Sequence, residues 1–232
     1  MLRSAWMSGY LDDRSHGLLP AHGDAWPVFV KICGVTNVRD AYVCVESGAD
    51  AIGLNFYPKS KRFISFDDAG TIVREVSPYL TTVGVMVQPM LDEVASALDA
   101  TEVDAVQVYE PRFGLADFDF KKLLYYSVRV RDASEVKAAS LIGADLIFLD
   151  AFLQGEFGGT GQTANWEAIG SSGVELSMRF VLSGGLNELN VCEAIKKLKP
   201  YGVDTASGVE VSPGVKDHRK IREFVSNAKQ CG

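Results

Sequence analysis

Eight short apolar segments alternate with longer amphipathic segments along this chain of 232 residues. The short segments are rich in β-branched residues and are typical of buried strands, whereas the longer ones are typical of helices that cover a sheet. We predict strands over 29–33, 51–56, 81–87, 104–109, 125–130, 145–149, 179–183 and 202–206. We predict helices over 38–46, 67–76, 91–98, 134–142, 164–169, 187–198 and 217–228, with a weaker one near 114–124. Because such alternation without hairpin signals builds a parallel sheet and eight strands can close it, we predict an α/β fold, a single (β/α)8 TIM barrel with eight parallel strands over 29–232.

The composition agrees with one domain of this size and excludes several classes of function. Hydrophobic residues make up 47% of the chain and charged residues 23%, which is enough apolar material for one large core. The net charge of −7 and the lack of a basic cluster argue against a nucleic-acid partner. No apolar run reaches transmembrane length, so no membrane association is expected. Residues 1–28 lack the apolar stretch of a signal peptide, and we expect them to form a mobile N-terminal extension.

The four cysteines of the chain lie far apart. They are Cys33, Cys44, Cys192 and Cys231. Since none of them has C-x-x-C spacing, we expect neither a metal site nor a disulfide framework. We assign the last three to packing or surface positions, and a reducing cytoplasm fits this usage best.

An aspartate stands near the start of four predicted strands. Segments 48–54 and 143–149 share the pattern Gly-Ala-Asp followed by apolar residues, and the fourth and eighth strands have a similar acid. The start of a barrel strand lies on the face that serves stability. We therefore expect capping and loop hydrogen bonds, rather than chemistry, from Asp50, Asp104, Asp145 and Asp204.

Two turns rich in serine and glycine follow the last two predicted strands. Small residues there expose backbone N–H groups, and a following helix start adds a positive dipole end. Paired turns at this position are the usual phosphate-binding site of an α/β barrel, so the ligand is expected to be a phosphorylated small molecule. A glycine-rich loop over 154–161 is a candidate lid or second anion clamp. The candidate phosphate-binding residues are Gly159, Gly184, Gly185, Ser207 and Gly208.

Asp150 and Cys33 end predicted strands, on the face where barrel enzymes hold their catalytic groups. A solvent-exposed loop aspartate is the alternative interpretation of Asp150. Lys31 lies two residues before Cys33 on the same side of its strand, and a nearby ammonium favours the thiolate, which can act as a base. The alternative interpretation of Cys33 is a small buried side chain that only packs. None of the three histidines ends a predicted strand, so Cys33 and Asp150 are the leading acid–base candidates.

Two further polar residues are candidates for the site, one in the loop after the second predicted strand and one on the fourth. Arg62 belongs to a basic loop after the second strand, and a guanidinium can bind a carboxylate through two hydrogen bonds. Its neighbours Lys59 and Lys61 can equally be solvent-exposed charges. Gln107 lies on the fourth strand and could bond the substrate or only a neighbouring side chain, and we favour the substrate.

Together these motifs resemble the phosphoribosylanthranilate isomerase family of tryptophan biosynthesis, from Lys31 to about Phe224. The resemblance implies an Amadori rearrangement of N-(5-phosphoribosyl)anthranilate to 1-(2-carboxyphenylamino)-1-deoxyribulose 5-phosphate, without a cofactor or metal. It is carried by the segments 31–36 (KICGVT), 56–62 (FYPKSKR), 83–85 (VGV), 158–161 (GGTG) with Trp166, 183–186 (SGGL), 207–210 (SGVE) and 213–217 (PGVKD).

The resemblance also implies a role for each candidate residue. Asp150 would be the general acid that protonates the furanose ring oxygen, and Cys33 the general base that takes the proton from C2. Arg62 would hold the anthranilate carboxylate. The phosphate would bind N–H groups near Gly185, Ser207 and Gly208, with help from Gly159.

Two positions depart from the family pattern. The fourth strand ends in Gln-Val-Tyr-Glu over 107–110, where the family usually has Gln-Leu-His-Gly. Asn55 stands where the family usually has an apolar residue, and it matches Asp150 in the internal repeat, so it is expected to face the barrel mouth. We therefore count Asn55 and Tyr109 among the substrate-binding residues.

Other interpretations stay open at this point. One is an isomerase of another aldosylamine phosphate, of the histidine-pathway type, although that family has aspartates at both catalytic strand ends and Cys33 argues against it. Another is a non-catalytic barrel that binds an anionic metabolite. The oligomeric state is open between monomer and homodimer.

Overall fold

The computed structural model describes residues 27–151, 166–172 and 180–232, and within them eight parallel strands form a closed barrel. This confirms the predicted fold. Each strand pairs with the next one in the sequence, and the last pairs with the first in the register Phe29–Gly202 to Ile32–Thr205. The strands are β1 (Phe29–Cys33), β2 (Ala51–Asn55), β3 (Thr81–Val87), β4 (Ala105–Tyr109), β5 (Leu123–Val130), β6 (Leu146–Ala151), β7 (Phe180–Leu182) and β8 (Gly202–Thr205).

Helices cover the outside of the barrel, and several of them begin at a capping side chain. Asn37, Ser65 and Asp217 each accept a hydrogen bond from a backbone N–H in the first turn of the helix that follows. The helices are α1 (Val38–Glu46), α2 (Phe66–Val76), α3 (Leu91–Thr101), α4 (Ala133–Ala139), α5 (Trp166–Gly170), α6 (Val191–Leu198) and α7 (His218–Cys231).

The helix predicted near 114–124 is wrong. The chain forms only a 3₁₀ turn over Leu115–Asp117, and β5 begins already at Leu123. The aromatic residues of this segment alternate with acidic ones, so they do not build the continuous apolar stripe that a helix needs. Phe118 and Phe120 instead stack edge to face, with ring centroids 5.0 Å apart, and pack against the core one by one.

A short hairpin after β8 was not predicted. A 3₁₀ turn over Ser207–Val209 leads into β9 (Glu210–Ser212), which pairs antiparallel with β10 (Val215–Lys216). The hairpin folds back so that the Lys216 ammonium donates to the Cys33 carbonyl oxygen at 2.6 Å. This contact brings the charged side chains of Lys216 and Glu210 to the end of β1.

Three of the four aspartates near strand starts have the predicted structural role. Each lies just before an even-numbered strand and accepts a hydrogen bond from the second residue of the preceding strand: Asp50 from Val30 N, Asp104 from Thr82 N and Asp145 from Leu124 N. The prediction is wrong for Asp204. Because β8 begins at Gly202, Asp204 is the third residue of its strand and is buried inside the barrel.

The expectation that no cysteines pair is also wrong. Cys192 and Cys231 form a disulfide, with their Cα atoms 5.4 Å apart. They lie near the start of α6 and at the end of α7, and these helices pack against each other. The pairing follows from helix packing between residues 39 positions apart, which no spacing rule detects. Cys44 packs in the core as predicted.

The barrel interior is filled by side chains rather than open. Its inner layer consists of Ala51, Val83, Ala105, Tyr125, Leu146, Phe148 and Val181. A larger cluster lies between the strands and the helices. Within the described ranges, no helix combines the length and apolar character needed to cross a membrane. The predicted N-terminal extension falls almost entirely outside the described residues.

Candidate active site

A cavity lies at the carboxyl ends of the barrel strands and contains both acid–base candidates. Val85 and Val87 of β3 form an apolar wall, opposite polar groups from the other strands. A cavity in which polar groups from several strands converge beside an apolar wall is typical of a small-molecule site. Its polar lining consists of Cys33, Asn55, Ser60, Arg62, Tyr109, Asp150, Gly184, Gly185, Asp204, Thr205 and Ser207. Residues predicted from separate segments are thus brought together at one mouth.

Cys33 ends β1 beside the ammonium of Lys31, as the strand alternation predicts. Lys31 has no exposed surface; its Nζ donates to Asp204 Oδ1 at 2.9 Å and lies 5.1 Å from the centroid of the Phe148 ring. Burial raises the pKa of the Cys33 thiol, whereas the ammonium groups of Lys31 and Lys216 lower it. Burial is the larger effect, so the net pKa lies above its ordinary value. The Lys31 ammonium therefore lies where it was predicted, but it only partly compensates for the increase in the Cys33 pKa that burial causes.

Asp150 is the second-last residue of β6 and lies in the cavity with 2% of its surface exposed, which excludes the solvent-exposed alternative. The Tyr109 hydroxyl donates to Asp150 Oδ2 at 2.9 Å. Burial and the nearby Asp150 carboxylate raise the pKa of Tyr109 well above its ordinary value. Tyr109 is therefore a neutral hydrogen-bond donor to the candidate acid, as well as part of the cavity wall.

Arg62 reaches the cavity, but a carboxylate of the protein already binds it. Its Nε and Nη2 atoms donate to the two oxygens of Glu210 at 2.8 and 2.7 Å. Glu210 also accepts from Lys216 at 2.9 Å. These bonds lower the pKa of Glu210 against the opposing effect of burial. A substrate carboxylate would have to add to the contacts of Arg62 or compete with them.

Sequence reasoning missed Lys216 and Glu210 as members of this site. In the sequence, Glu210 was noted only as a member of the segment 207–210, and Lys216 only as a member of the segment 213–217. Their arrangement depends on the β9–β10 hairpin, which has a Pro-Gly turn as its only sequence signal. The neighbours Lys59 and Lys61 are exposed, in agreement with the solvent-exposed interpretation.

Gln107 bonds a neighbouring side chain, which is the alternative that the sequence left open, and a substrate contact stays a prediction. It is 1% exposed, it is not part of the cavity lining, and its Nε2 donates to Ser127 Oγ at 2.8 Å. The residue lies two positions before Tyr109 on β4, one layer deeper in the barrel. Its Oε1 atom is buried without a hydrogen-bond partner among the described residues.

Asn55 faces the cavity as predicted and also shapes the loop that follows it. Its Oδ1 atom accepts from the Tyr57 N–H at 2.9 Å. The amide group is therefore fixed at the start of the basic loop that carries Arg62.

The two predicted phosphate-binding turns lie side by side. Gly184 and Gly185 have positive φ angles of 89° and 65°, and the Thr205 hydroxyl donates to the Leu186 carbonyl oxygen at 2.6 Å. A Cβ atom on Gly208 would lie 1.9 Å from that same oxygen, so the two turns touch through backbone. Helix α6 begins at Val191, later than predicted, and the turn does not lead directly into it. Gly159 and the loop over 154–161 lie outside the described residues.

The fold and this site define a class of protein. It is a (β/α)8-barrel enzyme in which a carboxyl group and a thiol share a cavity with paired Ser/Gly turns after the last two strands. That arrangement suits acid–base chemistry on a phosphorylated small molecule. Among the described residues, no group of three or more His, Cys, Asp and Glu side chains could hold a metal ion.

Comparisons with known proteins identify the family within this class. A family model described as N-(5'-phosphoribosyl)anthranilate (PRA) isomerase matches residues 30–227. The N-(5'-phosphoribosyl)anthranilate isomerase of Pelobacter propionicus is 39% identical over 201 residues, which cover 87% of this chain and 95% of the relative. The chain therefore belongs to the N-(5'-phosphoribosyl)anthranilate isomerase family, whose members are aldose–ketose isomerases of tryptophan biosynthesis.

Solved structures agree with this assignment. The phosphoribosyl anthranilate isomerase of Thermotoga maritima superimposes with a TM-score of 0.77 at 39% identity, covering 88% of this chain and 99% of that one. A phosphoribosyl anthranilate isomerase in complex with reduced 1-(o-carboxyphenylamino)-1-deoxyribulose 5-phosphate gives a TM-score of 0.74 at 37% identity, with the same coverage.

Proposed function

We propose that this chain rearranges N-(5-phosphoribosyl)anthranilate to 1-(2-carboxyphenylamino)-1-deoxyribulose 5-phosphate, with Asp150 as the acid and Cys33 as the base. The observation that supports these roles most strongly is that both groups line one cavity at the carboxyl ends of β1 and β6. The paired turns at the same mouth give a place for the phosphate. Family membership supplies the substrate.

Asp150 begins the reaction as the protonated acid. It gives its proton to the furanose ring oxygen, the C1–O bond breaks, and the anthranilate nitrogen forms a double bond to C1. Asp150 is left as a carboxylate. The Tyr109 hydroxyl, 2.9 Å from Asp150 Oδ2, stabilises that carboxylate because a hydrogen bond to the charged form favours it.

Cys33 carries out the second step as a thiolate. It takes the proton from C2, and the electron pair of the C–H bond forms a C1–C2 double bond while the charge on nitrogen is neutralised. The enolamine becomes the ketone when C1 gains a proton and the C2 hydroxyl loses one. These last transfers return both groups to their starting protonation states.

The substrate is held at both of its ends. The phosphate binds N–H groups of the two touching turns at Gly184, Gly185 and Ser207, while Gly208 lets the turns approach. The anthranilate carboxylate interacts with Arg62 at the other side of the mouth, beside Glu210. The proposed assignments for Gly159 and Gln107 have no support from the contacts of the described residues.

The test is the fluorescence decay of freshly made N-(5-phosphoribosyl)anthranilate with purified protein. Asp150→Asn and Cys33→Ala should abolish the decay, because each removes a proton-transfer group. Asp145→Asn and Cys44→Ala are the matched controls, since Asp145 bonds a strand start and Cys44 packs in the core. Full activity in either site variant, measured on folded protein, would remove that residue from its role.

We also propose that a single chain holds a complete site, because the two acid–base candidates and the paired turns come together at the mouth of one barrel. Activity per chain should then stay constant on dilution while sedimentation velocity reports the oligomeric state. A loss of activity that follows dissociation would contradict this. The expected cytoplasmic location stays a prediction for cell fractionation to test.

A further inference from the structure

A buried ion pair lies directly beneath the candidate base. Lys31 and Asp204 face each other in the register between β1 and β8, and Lys31 Nζ donates to Asp204 Oδ1 at 2.9 Å. Lys31 is fully buried and Asp204 is 7% exposed. Ser183 gives Asp204 a second partner through a hydroxyl at 3.3 Å. Because removing two charges from water is costly, a pair at this depth calls for an explanation beyond packing.

The Lys31 ammonium is adjacent to the Cys33 sulfur as well as to Asp204. Gly53 of β2 shows this, because a Cβ atom there would lie 2.7 Å from Cys33 Sγ and 3.1 Å from Lys31 Nζ. Cys33 Sγ and Lys31 Nζ therefore both lie next to the backbone of Gly53, where there is no side chain. A larger residue at position 53 would separate them or push one of them aside.

Among the described side chains near the sulfur, cations outnumber carboxylates once Asp150 carries the proton that its proposed role requires. Three cations, Lys31, Lys216 and Arg62, stand against the carboxylates of Asp204 and Glu210. With Asp150 protonated and Tyr109 neutral across the cavity, one positive charge is left over. A thiolate at Cys33 neutralises it.

Of the two buried lysines, Lys31 retains its charge more firmly. Burial lowers the pKa of both buried lysines. For Lys31, the charges of Asp204 and Cys33 outweigh burial and the net pKa is raised. For Lys216, burial is the stronger effect and the net pKa is lowered.

We infer that the Lys31–Asp204 pair is a positioning element of the base. Lys31 supplies the positive charge that makes a thiolate at Cys33 possible, and Asp204 keeps Lys31 charged and limits how strongly it acts on the sulfur. This inference rests on the proposed role of Cys33. It assigns the two buried residues a function in catalysis although neither exchanges a proton with the substrate.

The test is a titration of the Cys33 thiolate by its ultraviolet absorbance, with the Cys33→Ala protein as the blank. Burial raises the pKa of Cys44, the other free cysteine, to about 12, so it does not interfere near neutral pH. Two single substitutions should move the midpoint in opposite directions. Lys31→Met should raise it by about one unit or more, since a neighbouring opposite charge shifts a pKa by about 1–3 units. Asp204→Asn should lower it, because the thiolate becomes the main anion beside Lys31.

Opposite shifts support the inference, and alkylation of Cys33 by iodoacetamide at fixed pH should follow them. Shifts in the same direction, or no shift, would overturn it, because general damage to the site would not depend on the sign of the charge removed. If Lys31→Met does not fold, the direction of the Asp204→Asn shift decides alone. A failure of the proposed function would give a different result. In that case Cys33→Ala would keep its turnover, whether or not the midpoints of the thiolate titration shift.

Discussion

The contact between the two proposed phosphate-binding turns can be tested with one added methyl group. In Gly208→Ala the new Cβ would lie 1.9 Å from the Leu186 carbonyl oxygen and 2.9 Å from Thr205 Oγ1. Both neighbours are fixed, the first as backbone and the second by its 2.6 Å hydrogen bond to that oxygen. The turns must therefore move apart by roughly 1 Å or more to reach an ordinary contact.

The size of the effect follows from what the movement breaks. Losing the bond between Thr205 and Leu186 costs about 1 kcal/mol, and overpacking a tight site costs about 1–3 kcal/mol. The free energy of unfolding should fall by about 2–4 kcal/mol, which lowers Tm by roughly 5–15 °C for a domain of this size. One lost hydrogen bond to a charged phosphate is worth about 1.5–3 kcal/mol, so KM should rise about 10- to 100-fold. The effect on kcat should be small, because Cys33 and Asp150 lie on other strands.

The assay combines thermal unfolding with full progress curves of substrate fluorescence. Gly143→Ala is the matched control, because a Cβ atom there would have no neighbour within 4 Å. If Gly208→Ala keeps both the Tm and the KM of the control, the two turns are not held in contact as described and the proposed phosphate site is wrong.

Two further predictions concern the acid and the disulfide. Tyr109→Phe removes the donor to Asp150, and a hydrogen bond to a charged group is worth about 1.5–3 kcal/mol, so kcat should fall about 10- to 100-fold; an unchanged kcat would show that the bond does not act on the candidate acid. Cys192→Ser opens a bridge across 39 positions, and the free energy of unfolding should fall by about 4 kcal/mol in oxidising buffer. Denaturant titrations with reductant are the control: there the variant and the parent protein should agree, and a difference that persists would mean that the side chain at 192 matters by packing.

Much of the fold could be predicted because hydrophobic periodicity is local. The observed bounds of β1, β3 and α1 agree with the predicted ones, since apolar residues at period two or at helical spacing, together with a cap such as Asn37, are properties of the segment itself. Eight such units leave a closed parallel barrel as the natural arrangement. That topology brings all strand ends to one face, so Cys33 and Asp150 could be placed at a common mouth before any contact was known. The segment near 114–124 was mispredicted because its aromatic and acidic residues alternate instead of following helical spacing.

Contacts between distant segments were decided only by the tertiary structure. Asp204 has the same local appearance as Asp50, yet the register of β8 against β1 places it inside the barrel with Lys31, 173 positions away. The bond between Arg62 and Glu210 depends on a hairpin, and the bond between Cys192 and Cys231 depends on how two helices pack. A sequence pattern states which side chains each element presents, whereas charge pairing depends on which elements meet and in what register. The sequence alone therefore determined the barrel and singled out Cys33 and Asp150 as candidate base and acid, and the tertiary structure decided the electrostatic environment around them.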